Sequence, residues 1–199
     1  MSPAVGSLRL QRGLPPVLDA ATRVLILGSF PGVASLAAGE YYAHPRNHFW
    51  PLMGALLDLP LAELPYARRL SLLRANGIGV WDSIVRCTRA GSADTAIRRA
   101  ELGEVALARR RASELALVCF NGQTAARVAP LWRDAGCAVR VLPSSSPAYT
   151  LPFADKLAAW REALADTVHG ARDCEASSEG MRRRPDEGVL AARRPGRRR

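Results

Sequence analysis

The run "RVLILGS" at Arg23–Ser29 decides the fold. Four large aliphatic residues follow one another from Val24 to Leu27, and a glycine and a serine close the run. A strand with one wet face alternates apolar and polar residues, whereas a strand buried on both faces of a parallel sheet is continuously apolar. Three further runs have the same form: "GIGVWDS" (77–83), "LALVCFNG" (115–122) and "AVRVLPS" (138–144). Helical patterns lie between and after them, at about 47–58, 61–75, 98–113, 122–135 and 153–168. Alternating strands and helices imply right-handed crossovers. The expected fold class is α/β, a three-layer α/β/α sandwich with a central four-stranded parallel sheet.

Length and composition bound the rest. A chain of 199 residues with 48% apolar content suits one sizeable core and a soluble globular protein. Residues 1–13 read as a loose leader, 14–169 as the folded domain, and 170–199 as a disordered Arg-rich tail without apolar periodicity. The formal charge of +10 comes almost wholly from arginine, since Lys156 is the single lysine. Residues 171–199 carry nine arginines against five acids, a net of +4, which leaves the body at +6. A high arginine share also follows from genomic base composition, but a basic domain is still drawn to polyanions such as nucleic acid. The four cysteines (Cys87, Cys119, Cys137, Cys174) form no CxxC pair, so metal or iron–sulfur ligation has no support. Cys119 and Cys137 fall in or beside apolar stretches and read as core thiols. No run is long enough to span a membrane and no signal-peptide pattern opens the chain, which points to the cytoplasm. A monomer with no metal and no cofactor is expected.

In open α/β sheets the ligand crevice lies beyond the carboxyl ends of the strands. Here the first strand runs into "GSFPG" (Gly28, Ser29, Phe30, Pro31, Gly32), the third into "FNGQTA" from Phe120, and the fourth into "LPSSSPAYT" from Leu142. Two glycines around a proline give a tight loop whose backbone N–H groups can approach a ligand closely. It is not a phosphate-binding P-loop, and a plain strand-to-helix turn has the same composition. Three serines between prolines make a stiff hydrogen-bonding loop suited to a phosphate backbone or a groove. The flanking glycines of a nucleophile elbow are missing.

One further stretch, "EYYAHPRNHFWPLM" (Glu40–Met53), joins the same rim. Tyr41 or Tyr42 offers a ring for stacking on a planar base. Asn47 can both donate and accept, Arg46 can meet a phosphate, and His44 can exchange a proton near neutral pH. Phe49, Trp50, Leu52 and Met53 read instead as the buried face of a helix, and His48 as a solvent-facing residue on it.

"LILGSFPGVASLAAGEYYAHPRNHFW" (25–50) resembles the first signature of the uracil-DNA glycosylase superfamily, and most nearly its hypoxanthine-DNA glycosylase branch, also called DNA-deoxyinosine glycosylase. "GSADTAIRR" (91–99), "CFNGQTA" (119–125) and "LPSSSPAYT" (142–150) resemble later signatures of that branch, in the same order. The resemblance covers about residues 20–165 and implies an enzyme acting on DNA that contains deaminated bases. Many superfamily members activate water with Asn or Asp inside the first loop, where this chain has Phe30. In the hypoxanthine branch the catalytic asparagine lies in the "HPxN" segment, which falls on Asn47, with His44 as the second candidate. By analogy with the mismatch-specific relatives, the ring before "AHP" stacks on the flipped base, which falls on Tyr42, and the Gly28–Gly32 loop and Asn121 are expected to bind the same base. Ser144, Ser145, Ser146, Pro147, Ala148 and Tyr149 hold the DNA open, with Arg46 on a phosphate. Which side chain enters the vacated stack is left open.

Hydrolysis of an N-glycosidic bond requires a base taken out of the stack, at a cost of a few kcal/mol. The sugar gains oxocarbenium character and the base leaves as an anion. An amide is a poor general base, so Asn47 would orient water or hydrogen-bond the leaving base, and loop N–H groups would hold its oxygen. Lys156, read as solvated in the last helix, is no nucleophile. The expected enzyme is monofunctional and leaves an abasic site. Two other readings share these residues: a glycosylase for uracil or mismatched thymine, and a non-catalytic α/β module binding nucleotide or nucleic acid, which Phe30 would favour.

Overall fold

The aliphatic run around Ile26 becomes the central strand of the structure, a computed structural model described over residues 9–168. In chain order the strands are β1 (Leu10–Arg12), β2 (Val24–Gly28), β3 (Ile78–Asp82), β4 (Ile84–Thr88), β5 (Arg98–Leu102), β6 (Leu117–Asn121) and β7 (Ala138–Leu142). The helices are α1 (Val33–Ala38), α2 (Phe49–Leu57), α3 (Tyr66–Ala75), α4 (Val105–Arg111), α5 (Ala129–Asp134) and α6 (Phe153–Val168), and short 3-10 turns cover Leu61–Glu63, Asp94–Ala96 and Ala125–Val128.

The main sheet has four parallel strands in the order β3-β2-β6-β7. Every residue of β2 and β3 is buried, and alternation along β2 explains why. Val24 and Ile26 enter a core with Phe49, Trp50, Met53, Leu73 and Trp160 from α2, α3 and α6. Leu25 and Leu27 enter a second core with Ala108 of α4 and Ala129 and Trp132 of α5. Helices thus cover both faces, and neither face of the strand can be polar. Only β7 departs from the expected burial on both faces: it is an edge strand, with Ala138, Arg140 and Val141 exposed.

A second sheet was not evident in the sequence. β4 pairs antiparallel with β1 on one side and β5 on the other. Leu10–Arg12 therefore belong to the fold, which corrects the reading of residues 1–13 as a loose leader. The helical pattern over 98–113 is also corrected: its first part is β5 and only Val105–Arg111 is helical. Gly103 separates the two, because a side chain there would collide with the Trp81 ring. The tail expected at 170–199 lies outside the described residues.

The strand order sets the position of the crevice. The chain moves from β2 outward to β3, then returns across β2 to β6, so the order reverses between β2 and β6. A ligand in such a sheet sits outside the carboxyl ends of the strands at that reversal. Gly28, Asp82 and Asn121 end the strands there.

Candidate active site

A cavity of about 190 Å³ opens at this point. That is below the roughly 300–1,000 Å³ of clefts that hold drug-sized ligands, and it suits a single planar base rather than a whole dinucleotide. Of the residues expected at the site, only Arg46, Ala148 and Tyr149 lie outside its lining, and all three are exposed.

The floor is built by pairing β2 with β3, which puts Gly28 beside Asp82. A side chain on Gly28 would collide with Asp82 Oδ1 and crowd the Tyr42 hydroxyl. Gly28 therefore makes room for two polar side chains. Asp82 is 4% exposed, and its Oδ2 has no hydrogen-bond partner; nor has the buried Tyr42 hydroxyl. Burial pushes the Asp82 carboxyl up to about 8, the nearby Asp94 charge adds to the rise, and Arg89 opposes it. Burial likewise raises the Tyr42 phenol, with Asp82 contributing, while Asn121 acts the other way. Asp82 was missed in the sequence. The available signal was an acid at the carboxyl end of a buried run, on the rim where ligands bind.

One wall is Tyr42–Asn47. Tyr42 has φ 56°, a left-handed conformation uncommon for a residue with a side chain. Its ring is fixed by stacking on Phe49 at 3.8 Å between centroids and 15° between planes. The neighbouring backbone is held too: Ala43 N–H donates to Ser35 Oγ at 3.1 Å, and Trp50 Nε1 donates to the Tyr41 carbonyl at 3.0 Å. Both tyrosines border the cavity, but Tyr41 is 2% exposed and its hydroxyl bonds the Leu14 and Pro15 carbonyls, so its ring is tied into the core. Asn47 Oδ1 accepts from Phe49 N–H at 2.9 Å, an Asx turn that starts α2. His44 Nδ1 accepts from Arg46 N–H at 3.2 Å, which leaves Nε2 as the nitrogen to carry a hydrogen. Phe49, Trp50, Leu52 and Met53 are buried as expected.

The opposite wall is the serine loop. Asn121 grips it twice: Asn121 Nδ2 donates to Ser145 Oγ and Ser145 N–H donates to Asn121 Oδ1, both at 2.8 Å. Ser145 is fully buried, which corrects its assignment as a DNA contact; it anchors the loop. The two walls meet where His48 N–H donates to the Ser145 carbonyl at 2.9 Å. His48 is correspondingly half-buried, edge-on to Phe153, and not the solvent-facing residue expected. Burial and the nearby Lys156 lower its pKa. Lys156 is the larger correction. It is fully buried beneath the loop, donating from Nζ to the Tyr149 carbonyl at 2.7 Å and the Ser146 carbonyl at 3.5 Å.

The "GSFPG" loop closes the cavity. Ser29 Oγ donates to Asp94 Oδ2 at 2.7 Å, and Val33 N–H donates to Ser92 Oγ at 3.0 Å, so "GSADTAIRR" braces it from the second sheet. The Arg89 guanidinium, 2% exposed, donates to the Pro31 carbonyl and lies 4.9 Å from the Phe30 ring centroid. Phe30 lines the cavity, but it is 5% exposed and packs with Ile84 and Cys87. It packs against β4 of the second sheet. Cys119 and Cys137 are buried thiols, and burial pushes Cys119 up to about 12. Among the described residues no cluster of three or more potential ligands could hold a metal, and no helix is long and apolar enough to cross a membrane.

Known proteins resemble this chain in sequence and fold. The family model described as "Uracil DNA glycosylase superfamily" matches residues 15–167. A hypoxanthine DNA glycosylase of Methanosarcina barkeri is 37% identical over 154 residues, covering 77% of this chain and 98% of the relative. The protein of the same name from Methanosarcina acetivorans is 40% identical over 139 residues, 70% of this chain and 88% of the relative. A solution NMR structure of a candidate uracil DNA glycosylase from Methanosarcina acetivorans superposes with a TM-score of 0.69 at 36% identity, over 77% of this chain and 98% of that one. The chain belongs to the uracil DNA glycosylase superfamily.

Proposed function

We propose that the protein is a monofunctional DNA repair glycosylase that hydrolyses the N-glycosidic bond of hypoxanthine flipped out of DNA and leaves an abasic site. The observation that carries this reading is the base-sized cavity at the sheet's reversal point, walled by the fixed Tyr42 ring and by Asn47. The names of the two Methanosarcina relatives support hypoxanthine as the base. Phe49 covers one face of the Tyr42 ring, and the base takes the other. The Asx turn fixes the Asn47 amide and leaves its NH2 group and one Oδ1 lone pair to orient water or hold the departing base. Lys156 is committed to two loop carbonyls, so no covalent amine chemistry is assigned to it.

Outside the cavity, exposed Arg46 meets a phosphate and the Ser144–Tyr149 loop holds the duplex open. Tyr149, 46% exposed and 5.3 Å from the buried Lys156 ammonium, is the large ring on that loop and enters the vacated stack. The enzyme acts as a cytoplasmic monomer. A uracil-directed activity is the second reading, because the structural relative is described as a candidate uracil DNA glycosylase. Oligonucleotides carrying one inosine, uracil, xanthine or G:T mismatch, incubated with the protein and cleaved with alkali, distinguish these readings. Strand breaks with inosine above all others are the expected outcome; breaks with none of the four would end the proposal.

A further inference from the structure

We infer that Asp82 is a further catalytic residue, a carboxyl on the cavity floor that hydrogen-bonds the flipped base and gives it a proton as the glycosidic bond breaks. This assignment rests on the glycosylase reading above, and it adds the leaving-group acid that Asn47 cannot be.

The geometry leaves Asp82 without a structural task. It lines the cavity, Oδ1 occupies the space above Gly28, and Oδ2 bonds to nothing in the protein. Purely structural buried carboxyls are paired or fully hydrogen-bonded, because an unsatisfied one costs stability. Perturbed titratable groups that are left unsatisfied beside a cleft mark functional sites.

The surrounding groups fit a proton donor. Asp94 faces Asp82 and favours its protonated form, while the phenols of Tyr41 and Tyr42, themselves raised by burial and by Asp82, stay neutral where Asp82 titrates and add no opposing cation. Arg89 is the cation that opposes Asp94, and its guanidinium is engaged by the Pro31 carbonyl and lies over the Phe30 ring. Among the described residues the ion pair found joins Arg86 and Glu101, so Asp82 has no salt-bridge partner there. A carboxyl held up to about 8 is protonated at neutral pH, close to where a general acid works best.

In the step itself, the bond from the sugar C1′ to the base nitrogen breaks and both electrons leave with the base. The Asp82 carboxyl proton passes to the base, and water adds its oxygen to C1′. The water's surplus proton goes to bulk solvent, from which the Asp82 carboxylate is later reprotonated. No other reactant is needed. A purine leaving as the neutral base is a far better leaving group than its anion, and general acids of this kind contribute roughly 10²–10⁴-fold.

The test is single-turnover excision of inosine from duplex DNA between pH 6 and 9.5, by the parent, Asp82→Asn and Asp94→Asn, with Tm and damaged-DNA Kd measured for each. The parent rate is expected to be flat below about pH 8 and to fall above it. Asp82→Asn, which keeps a hydrogen-bond donor but no acidic proton, is expected to be about 10²-fold slower or more, with that alkaline fall abolished and Kd little changed. Asp94→Asn removes a neighbouring negative charge and is expected to move the fall to lower pH, a result that holds even if Asp82→Asn does not fold. A folded Asp82→Asn with the parent's rate and pH profile, or an unmoved profile in Asp94→Asn, would overturn the assignment and leave the glycosylase reading intact. A parent that excises no base from any substrate would end both.

Discussion

Tyr42 carries a backbone conformation that side chains ordinarily avoid, and three neighbours hold it there. Phe49 stacks on its ring, Ser35 holds the next residue's N–H, and the missing side chain of Gly28 leaves space for its hydroxyl. Backbone strain of this kind is kept where the surrounding structure over-determines it, commonly at binding sites. Tyr42→Ala is expected to weaken capture of inosine-containing DNA by about 1–3 kcal/mol, the worth of one stacked base, in a fluorescence binding titration. Asp82 gives a second prediction, independent of activity. Its pKa of about 8 in the fold lies above the 3.8 of the free side chain, so between those values the folded state holds a proton that the unfolded state has lost. This contribution to stability is fully present below about pH 4 and is lost as pH rises to about 8. Asp82→Asn, which cannot ionise, should therefore raise Tm more at pH 8 than at pH 4. An equal change at both would contradict the buried, raised carboxyl.

At the scale of elements, the cavity depends on how the serine loop is fastened. Asn121 holds Ser145 from the sheet, and Lys156 of α6 holds the Ser146 and Tyr149 carbonyls from below. Lys156→Ala takes the Nζ donor from the Tyr149 carbonyl and leaves the Ser146 carbonyl only the Tyr149 N–H, and it is expected to cost about 1–3 kcal/mol of stability in thermal unfolding. Tyr149→Ala, on the exposed side of the same loop, should leave stability alone and slow excision from duplex more than from single-stranded DNA, since only the duplex must be unpaired. An equal loss on both would place Tyr149 in the base pocket. These elements also show what the sequence could reveal. β2 was legible because both of its faces are buried, which forces an unbroken aliphatic run. β5 was not, since all five of its residues are exposed and no apolar alternation marks it. Tyr42 and Asn47 were legible as rings and amides ahead of a helix. Asp82 gained its meaning only from a neighbour in another strand, Gly28, and Lys156 only from a loop seven to ten residues earlier in the chain. Lateral pairing of that kind has no local signature.

For the whole molecule, charge and cavity make separate contributions. The body at +6 and residues 171–199 at +4 should bind DNA with an affinity that falls steeply as salt rises, because each phosphate contact releases counterions. Truncation after residue 169 is expected to lower non-specific affinity and flatten the salt slope while excision at low salt persists. Loss of all excision by a truncated protein that still folds would show that the tail takes part in the reaction. The proposed chemistry belongs to the cavity, and Asn47 is the lining residue to which the proposal gives its central role. Single-turnover excision of inosine from duplex DNA by the parent and by Asn47→Ala tests that most directly. The account predicts clear excision by the parent, a loss of about 10²-fold or more in the variant, as when a preorganised polar group is removed, and nearly unchanged binding of the damaged DNA. Excision by Asn47→Ala at the parent rate would contradict it.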